Sequence, residues 1–155
     1  MILDELLEFC DATSVAAAAG TALLGDVVDL GSASRDIGNG QDTYFYLSVD
    51  TSIITGGSAG TIQFKLVSDA SASIATDGSA TEHIVTEAFV TDDDALNELD
   101  AGREIICLPL PSGQTYERYL GVICTIATTT VTAGAISAGL TKDKTGWRAY
   151  PDATN

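Results

Sequence analysis

The chain has 155 residues, 45% of them hydrophobic and 6% aromatic, with 22 acidic against 7 basic side chains and a formal net charge of −15. A single domain of this size buries roughly two thirds of its unfolded surface, so it can hold a core without metal or disulfide staples. A surface this negative repels phosphate backbones and anionic headgroups, which argues against direct nucleic-acid or membrane binding and suits docking onto a more basic partner.

At the N-terminus Ile2, Leu3, Leu6, Leu7 and Cys10 follow helical spacing, with Glu5 and Glu8 on the other side. Residues 1–25 therefore read as a short amphipathic helix or as an extended arm laid on a neighbour. Residues 15–24 are apolar and Ala-rich, but Asp4, Glu5, Glu8 and Asp11 precede them where a signal peptide carries positive charge. The run is also shorter than the ~20 apolar residues of a membrane span. The expectation is a soluble chain made in the cytoplasm.

Beyond this arm, period-two alternation dominates. Residues 26–30 read as a strand, and residues 42–50 place Phe45, Leu47 and Val49 on one face. Residues 61–68 do the same with Ile62, Phe64 and Leu66. Further strands are predicted over 82–90, 104–110, 119–127 and 135–141, the last with Ile136, Ala138 and Leu140 on one face. The connectors Gly38-Asn39-Gly40, residues 56–60 and Asp77-Gly78-Ser79 supply turn residues, and residues 68–80 read as an exposed polar loop. Residues 92–100 carry the one internal helical signal, with Asp92, Asp93 and Asp94 placed to serve a helix N-terminus ahead of Leu96 and Leu99. About seven antiparallel strands in a single domain over 1–155 follow, with residues 144–155 as a C-terminal tail; there is no linker and no internal repeat.

Chemical motifs are sparse. Cys10, Cys107 and Cys124 are odd in number and lack CxxC spacing, which fits neither a closed disulfide set nor a four-ligand zinc site. Cys124 alternates in register with Leu120, Val122 and Ile126 and reads as a core residue in a protein of a reducing compartment. His83, the only histidine, reads as an ordinary strand residue, without a nucleophile motif beside it. The three consecutive aspartates lack EF-hand spacing, and residues 56–60 lack the Lys and Ser or Thr of a phosphate loop. The acidic residues could pair anywhere as glycosidase carboxylates, but Trp147 is alone and the tyrosines are scattered. The expectation is a protein that is not an enzyme, with no catalytic, cofactor or metal residues.

An ordered set of short motifs nevertheless runs through the chain. It comprises Met1-Ile2-Leu3-Asp4, Asp29-Leu30-Gly31 with Arg35-Asp36-Ile37-Gly38, Leu108-Pro109-Leu110-Pro111 and Arg118-Tyr119-Leu120. The set ends with the strand over 133–140, Asp143, and Trp147-Arg148-Ala149-Tyr150-Pro151. In order and spacing the chain resembles the tailed-phage capsid cement proteins of the Bordetella-phage type, which decorate the outside of an icosahedral head. The resemblance implies an all-β, single-domain antiparallel β-sandwich of jelly-roll type. It also implies an oligomer on the outer capsid surface, a homodimer or a trimer, bridging neighbouring subunits of the major capsid protein. It brings no cofactor and no catalytic residue, and residues 70–100 depart from it in being longer and more acidic.

The contact residues expected are Trp147, Arg148 and Tyr150 in the tail and Ile2, Leu3 and Leu6 at the start, since Trp, Tyr and Arg are the types most enriched at interface hot spots. The alternative for the tail is that Trp147 and Tyr150 cap the core while Arg148 pairs with an acidic residue such as Asp36. A second reading, a carbohydrate-binding or host-surface adhesion module on the same fold, requires a calcium site or an exposed aromatic platform, with Tyr44 and Tyr46 the residues on which glycan binding would depend.

Overall fold

Among the described residues, alternating apolar residues bounded by turn residues give nine strands: β1 (Glu8–Ser14), β2 (Gly20–Asp29), β3 (Tyr44–Thr55), β4 (Thr61–Asp69), β5 (Thr81–Val85), β6 (Phe89–Val90), β7 (Glu104–Pro109), β8 (Tyr119–Ala127) and β9 (Val131–Thr141). The structure, a computed structural model, describes residues 5–31, 37, 40, 42–55, 60–91 and 98–142. One sheet has the order β1-β9-β3-β7 and the other β2-β8-β4-β5, with β6 also pairing with β4, and all pairings are antiparallel. Every connection passes from one sheet to the other except those joining β4, β5 and β6.

The core lies between the sheets. Phe45, Leu47, Val49 and Ile53 of β3 and Ile136, Ala138 and Leu140 of β9 face Ile62, Phe64 and Leu66 of β4 and Leu120, Val122, Cys124 and Ile126 of β8. Each large side chain in this set contributes about 1.5–3 kcal/mol relative to an exposed one. The faces read from alternation in β3, β4, β8 and β9 are those observed, and Cys124 is a buried core thiol. The antiparallel β-sandwich expected from the sequence is present.

Several boundaries differ from expectation. Among the described residues of the N-terminal segment, expected as a short amphipathic helix or an extended arm, a single 3-10 turn, Glu5–Leu7, leads directly into β1, which pairs with β9. Of the residues with helical spacing, Leu6 and Leu7 lie in this turn and Cys10 in β1, which carries two bulges, at the second of which Ala12 takes φ 43°. Strand β2 begins at Gly20 rather than at residue 26, because the Ala-rich run is part of it and of the turn before it. The predicted strand over 82–90 is two, β5 and β6, interrupted where Thr86 N bonds Phe64 O and Thr86 Oγ1 accepts from Phe64 N. Of the predicted helix over 92–100, residues 92–97 lie outside the described residues and 98–102 form turns.

The loop over 70–80 is anchored rather than free. The Asp69 carboxylate accepts from Ser71 N and Ala75 N, both at 2.9 Å, and Asp77 accepts from Ser79 N at 3.0 Å. Ile74 and Ala80 from this loop pack on Val67 and Ile123, with Leu23 and Val27 beside them, as a second small apolar cluster on the outer face of the β2-β8-β4-β5 sheet. Strand β8 is therefore covered on both faces over much of its length.

The two sheets close on each other where β1 and β2 meet. Gly25 sits in the β2 bulge at φ +58°, against the backbone of Phe9 in β1. Phe9 in turn meets Phe45 edge-on, with ring centroids 6.1 Å apart. On the far side, edge strand β7 ends in Pro109, which has no N–H to offer a further strand.

Candidate interaction surfaces

Sheet register collects carboxylates on the outer face of the β1-β9-β3-β7 sheet. The Ser137 hydroxyl on β9 donates to Asp50 Oδ2 on β3 at 2.7 Å and accepts from Ala12 N on β1 at 3.1 Å, tying three strands together at one point. Around it stand Glu8 and Asp11 of β1. Partial desolvation raises the Glu8 carboxyl above its ordinary range, and the negative charges of Asp11 and Glu5 add to the effect. Tyr46, on the same face, is pushed up to about 12 by burial first and then by Glu8, Asp11 and Asp50. These strands thus hold a patch of negative potential on a rigid support, the kind of surface that steers toward a basic partner.

A second constellation joins residues distant in sequence. His83 of β5 contacts Ser68 Oγ of β4 through Nε2 at 2.8 Å and Gln114 Oε1 through Nδ1 at 2.9 Å. Its ring stacks on Tyr116 with centroids 4.2 Å apart, and the fully buried Tyr116 donates its hydroxyl to Pro111 O at 2.8 Å. Hydroxyl, imidazole and side-chain amide here stand in the order of a nucleophile, its base and an orienting group. Ser68, however, has no exposed surface, and its oxygen already accepts Glu117 N–H at 3.2 Å, so no substrate atom reaches it. The group acts as a staple that fixes residues 110–118 against β4 and β5. Sequence reading placed His83 in its strand correctly but had no signal for partners 15 and 31 positions away.

Among the described cations, Arg118 clamps Asp29 with two bonds of 2.8 Å and lies 5.0 Å from the centre of the Tyr119 ring, while Lys65 meets Glu82 at 2.6 Å. Asp29 is held down at about 2, by the Arg118 bonds first and then by Gly31 N–H. Among the described residues, no group of three or more His, Cys, Asp or Glu is placed to hold a metal ion.

Of the residues expected to make contacts, Leu6 is 80% exposed in the 3-10 turn. Ile2, Leu3, Trp147, Arg148 and Tyr150 lie outside the described residues, as does Asp36. Of the two tyrosines proposed as an aromatic platform, Tyr46 is buried and Tyr44 half-buried.

Residues 9–140 match the Bbp16 family, a match that runs from β1 through β9. The chain belongs to the Bbp16 family. The match is consistent with a family of Bordetella-phage proteins. In this Bbp16-family chain the His83 staple and, of the acidic patch, Asp11, Asp50 and Ser137 fall inside the matched span, while Glu8 and all six expected contact residues fall outside it. No curated protein matches the chain.

Proposed function

We propose that this Bbp16-family chain is a capsid cement protein that binds the outer surface of a tailed-phage head, bridges neighbouring major capsid subunits and stabilises the mature shell. The observation that carries the reading is the family match spanning the whole sandwich. The strand orders β1-β9-β3-β7 and β2-β8-β4-β5, with β6 as an extension of β5, support a jelly roll. The patch of Glu8, Asp11 and Asp50 supports docking onto a basic partner surface. The protein works by binding and not by catalysis, with no cofactor, nucleic-acid or membrane partner, and it is made in the host cytoplasm before joining the virion.

Such a clamp stabilises a pressurised shell by mass action, because it binds the assembled lattice and not its dissociated subunits. Many weak copies suffice when contacts are linked, and an oligomer on a symmetry axis presents identical patches to several subunits. The test is co-sedimentation with mature empty heads at low and high salt. Saturable binding that weakens with salt, and weakens further on Asp11→Lys with Asp50→Lys, is the expected result. Truncation after Lys144 decides whether the tail contributes. A folded protein that stays in the supernatant at low salt overturns the reading.

A further inference from the structure

The outer face of the β2-β8-β4-β5 sheet carries a groove that neither the acidic patch nor the His83 staple uses. Alternation turns Phe64, Leu66, Val122 and Cys124 into the core, so Lys65, Val67, Ile123 and Thr125 lie on the other face. Register sets Lys65 opposite Ile123 and Thr21 opposite Thr125. The loop over 70–80 stands beside them as a wall. It is rooted by Ile74 and Ala80 on Val67 and Ile123, and by the Asp69 carboxylate on Ser71 N and Ala75 N. Between wall and strands lies an open groove of about 250 Å³. An enclosed cavity of about 150 Å³ holds a six-carbon ring, so this groove takes one ring together with its substituents.

The lining is amphipathic. Val67, Ala75, Ala80 and Ile123 give it aliphatic surface, and Thr21, Lys65, Asp77, Glu82 and Thr125 give it polar groups. Lys65 Nζ meets Glu82 Oε1 at 2.6 Å, which leaves ammonium protons and the second carboxylate oxygen for another partner. Ser79 N and Ser79 Oγ both donate to Asp77 Oδ1, at 3.0 and 2.6 Å, so Oδ2 keeps its capacity to accept. The Thr21 and Thr125 hydroxyls lie 3.2 Å apart and use one of their two protons between them.

Donors, acceptors and aliphatic surface in one hollow select a ligand by exclusion. An anion meets two carboxylates on a chain of net charge −15. A cation finds Glu82 already paired with Lys65. A wholly apolar ligand strips water from an ion pair and supplies no replacement bonds. A neutral ring bearing several hydroxyls both donates and accepts, and its C–H face suits the aliphatic residues. We propose that this groove binds one sugar residue. The aliphatic residues take the place of an aromatic platform, and they lie on the sheet opposite Tyr44 and Tyr46. Because the wall is fixed by its own bonds, binding loses no entropy in ordering it.

The experiment is an amide-detected NMR titration of the full chain with D-glucose, D-galactose, D-mannose, N-acetyl-D-glucosamine and L-rhamnose, and with methylguanidinium as a cationic probe. Saturable shifts at Thr21, Gly78, Glu82 and Thr125 are expected with at least one sugar. The expected Kd is about 1–10 mM, as befits a ligand of about a dozen heavy atoms. Glu82→Gln at an exposed position and Thr125→Val at a half-buried one are each expected to weaken binding about fivefold, while Glu104→Gln on edge strand β7 leaves it unchanged. Absence of a saturable shift with every sugar overturns the proposal. So do shifts centred on Tyr44 and Tyr46, methylguanidinium binding at the groove amides as tightly as any sugar, or undiminished binding by both variants. None of these readouts involves capsids, so failure here and failure of head binding are separate results.

Discussion

The closure of the sandwich at β1 and β2 can be tested by one methyl group. In Gly25→Ala the new Cβ overlaps the carbonyl oxygen of Phe9 and comes within 3.0 Å of Cys10 Sγ. Both obstacles are poorly movable: the first is backbone in a paired strand, and the second is a buried side chain. The position also sits at φ +58°, where a non-glycine residue carries about 1–2 kcal/mol of strain. Displacing packed backbone adds about 1–3 kcal/mol. The sum, about 2–5 kcal/mol, is a large share of the roughly 5–15 kcal/mol that holds a domain together.

Thermal unfolding by circular dichroism is the assay, with a midpoint lowered by about 5–15 °C expected for a chain of this length. Gly78→Ala is the control. Its φ of +93° imposes conformational strain, but nothing lies within 4 Å of an added Cβ, so only the backbone cost of about 1–2 kcal/mol remains. The difference between the two variants isolates the contact between the sheets. Equal midpoints would refute the claim that Phe9 and Gly25 lock the edges together.

Further outcomes follow from single groups. Asp29 has a folded value of about 2 against an ordinary 3.8, so its stabilisation is present above about pH 4 and lost as pH falls through about 2; Arg118→Gln is expected to flatten the pH dependence of the urea midpoint in that window and to raise the Asp29 carboxyl in an NMR titration. Tyr116→Phe keeps the ring against His83 but leaves Pro111 O without its donor, an expected loss of about 1–2 kcal/mol by urea denaturation. Burial pushes the Cys10 thiol up to about 11 and the Cys124 thiol up to about 12, so at pH 8 neither is expected to react with a disulfide reagent until denaturant is added.

What the sequence revealed depended on whether one face of a strand could be read in isolation. Strand β8 was legible from Tyr119 to Ala127 because Leu120, Val122, Cys124 and Ile126 alternate without interruption. Strand β1 was not, because its bulges place Phe9 and Cys10 both in the core and break the period. The start of β2 was hidden by alanines, which carry almost no periodic signal, and the loop over 70–80 by composition, since one buried Ile74 anchors an otherwise polar run. Net acidity was plain from composition, yet only register shows that Asp11, Asp50 and Ser137 meet on one face. The His83 staple required partners from three segments, and no local pattern encodes that.

The distribution of charge follows from the fold rather than accompanying it. Strand β8 is covered on both faces over much of its length, on one by the core and on the other by the loop over 70–80, and a charge placed there would be desolvated without a partner. The absence of charge from residues 119–127 is thus a consequence of burial. Carboxylates are left to edge strands, outer faces and loops, where Glu8, Asp11 and Asp50 gather.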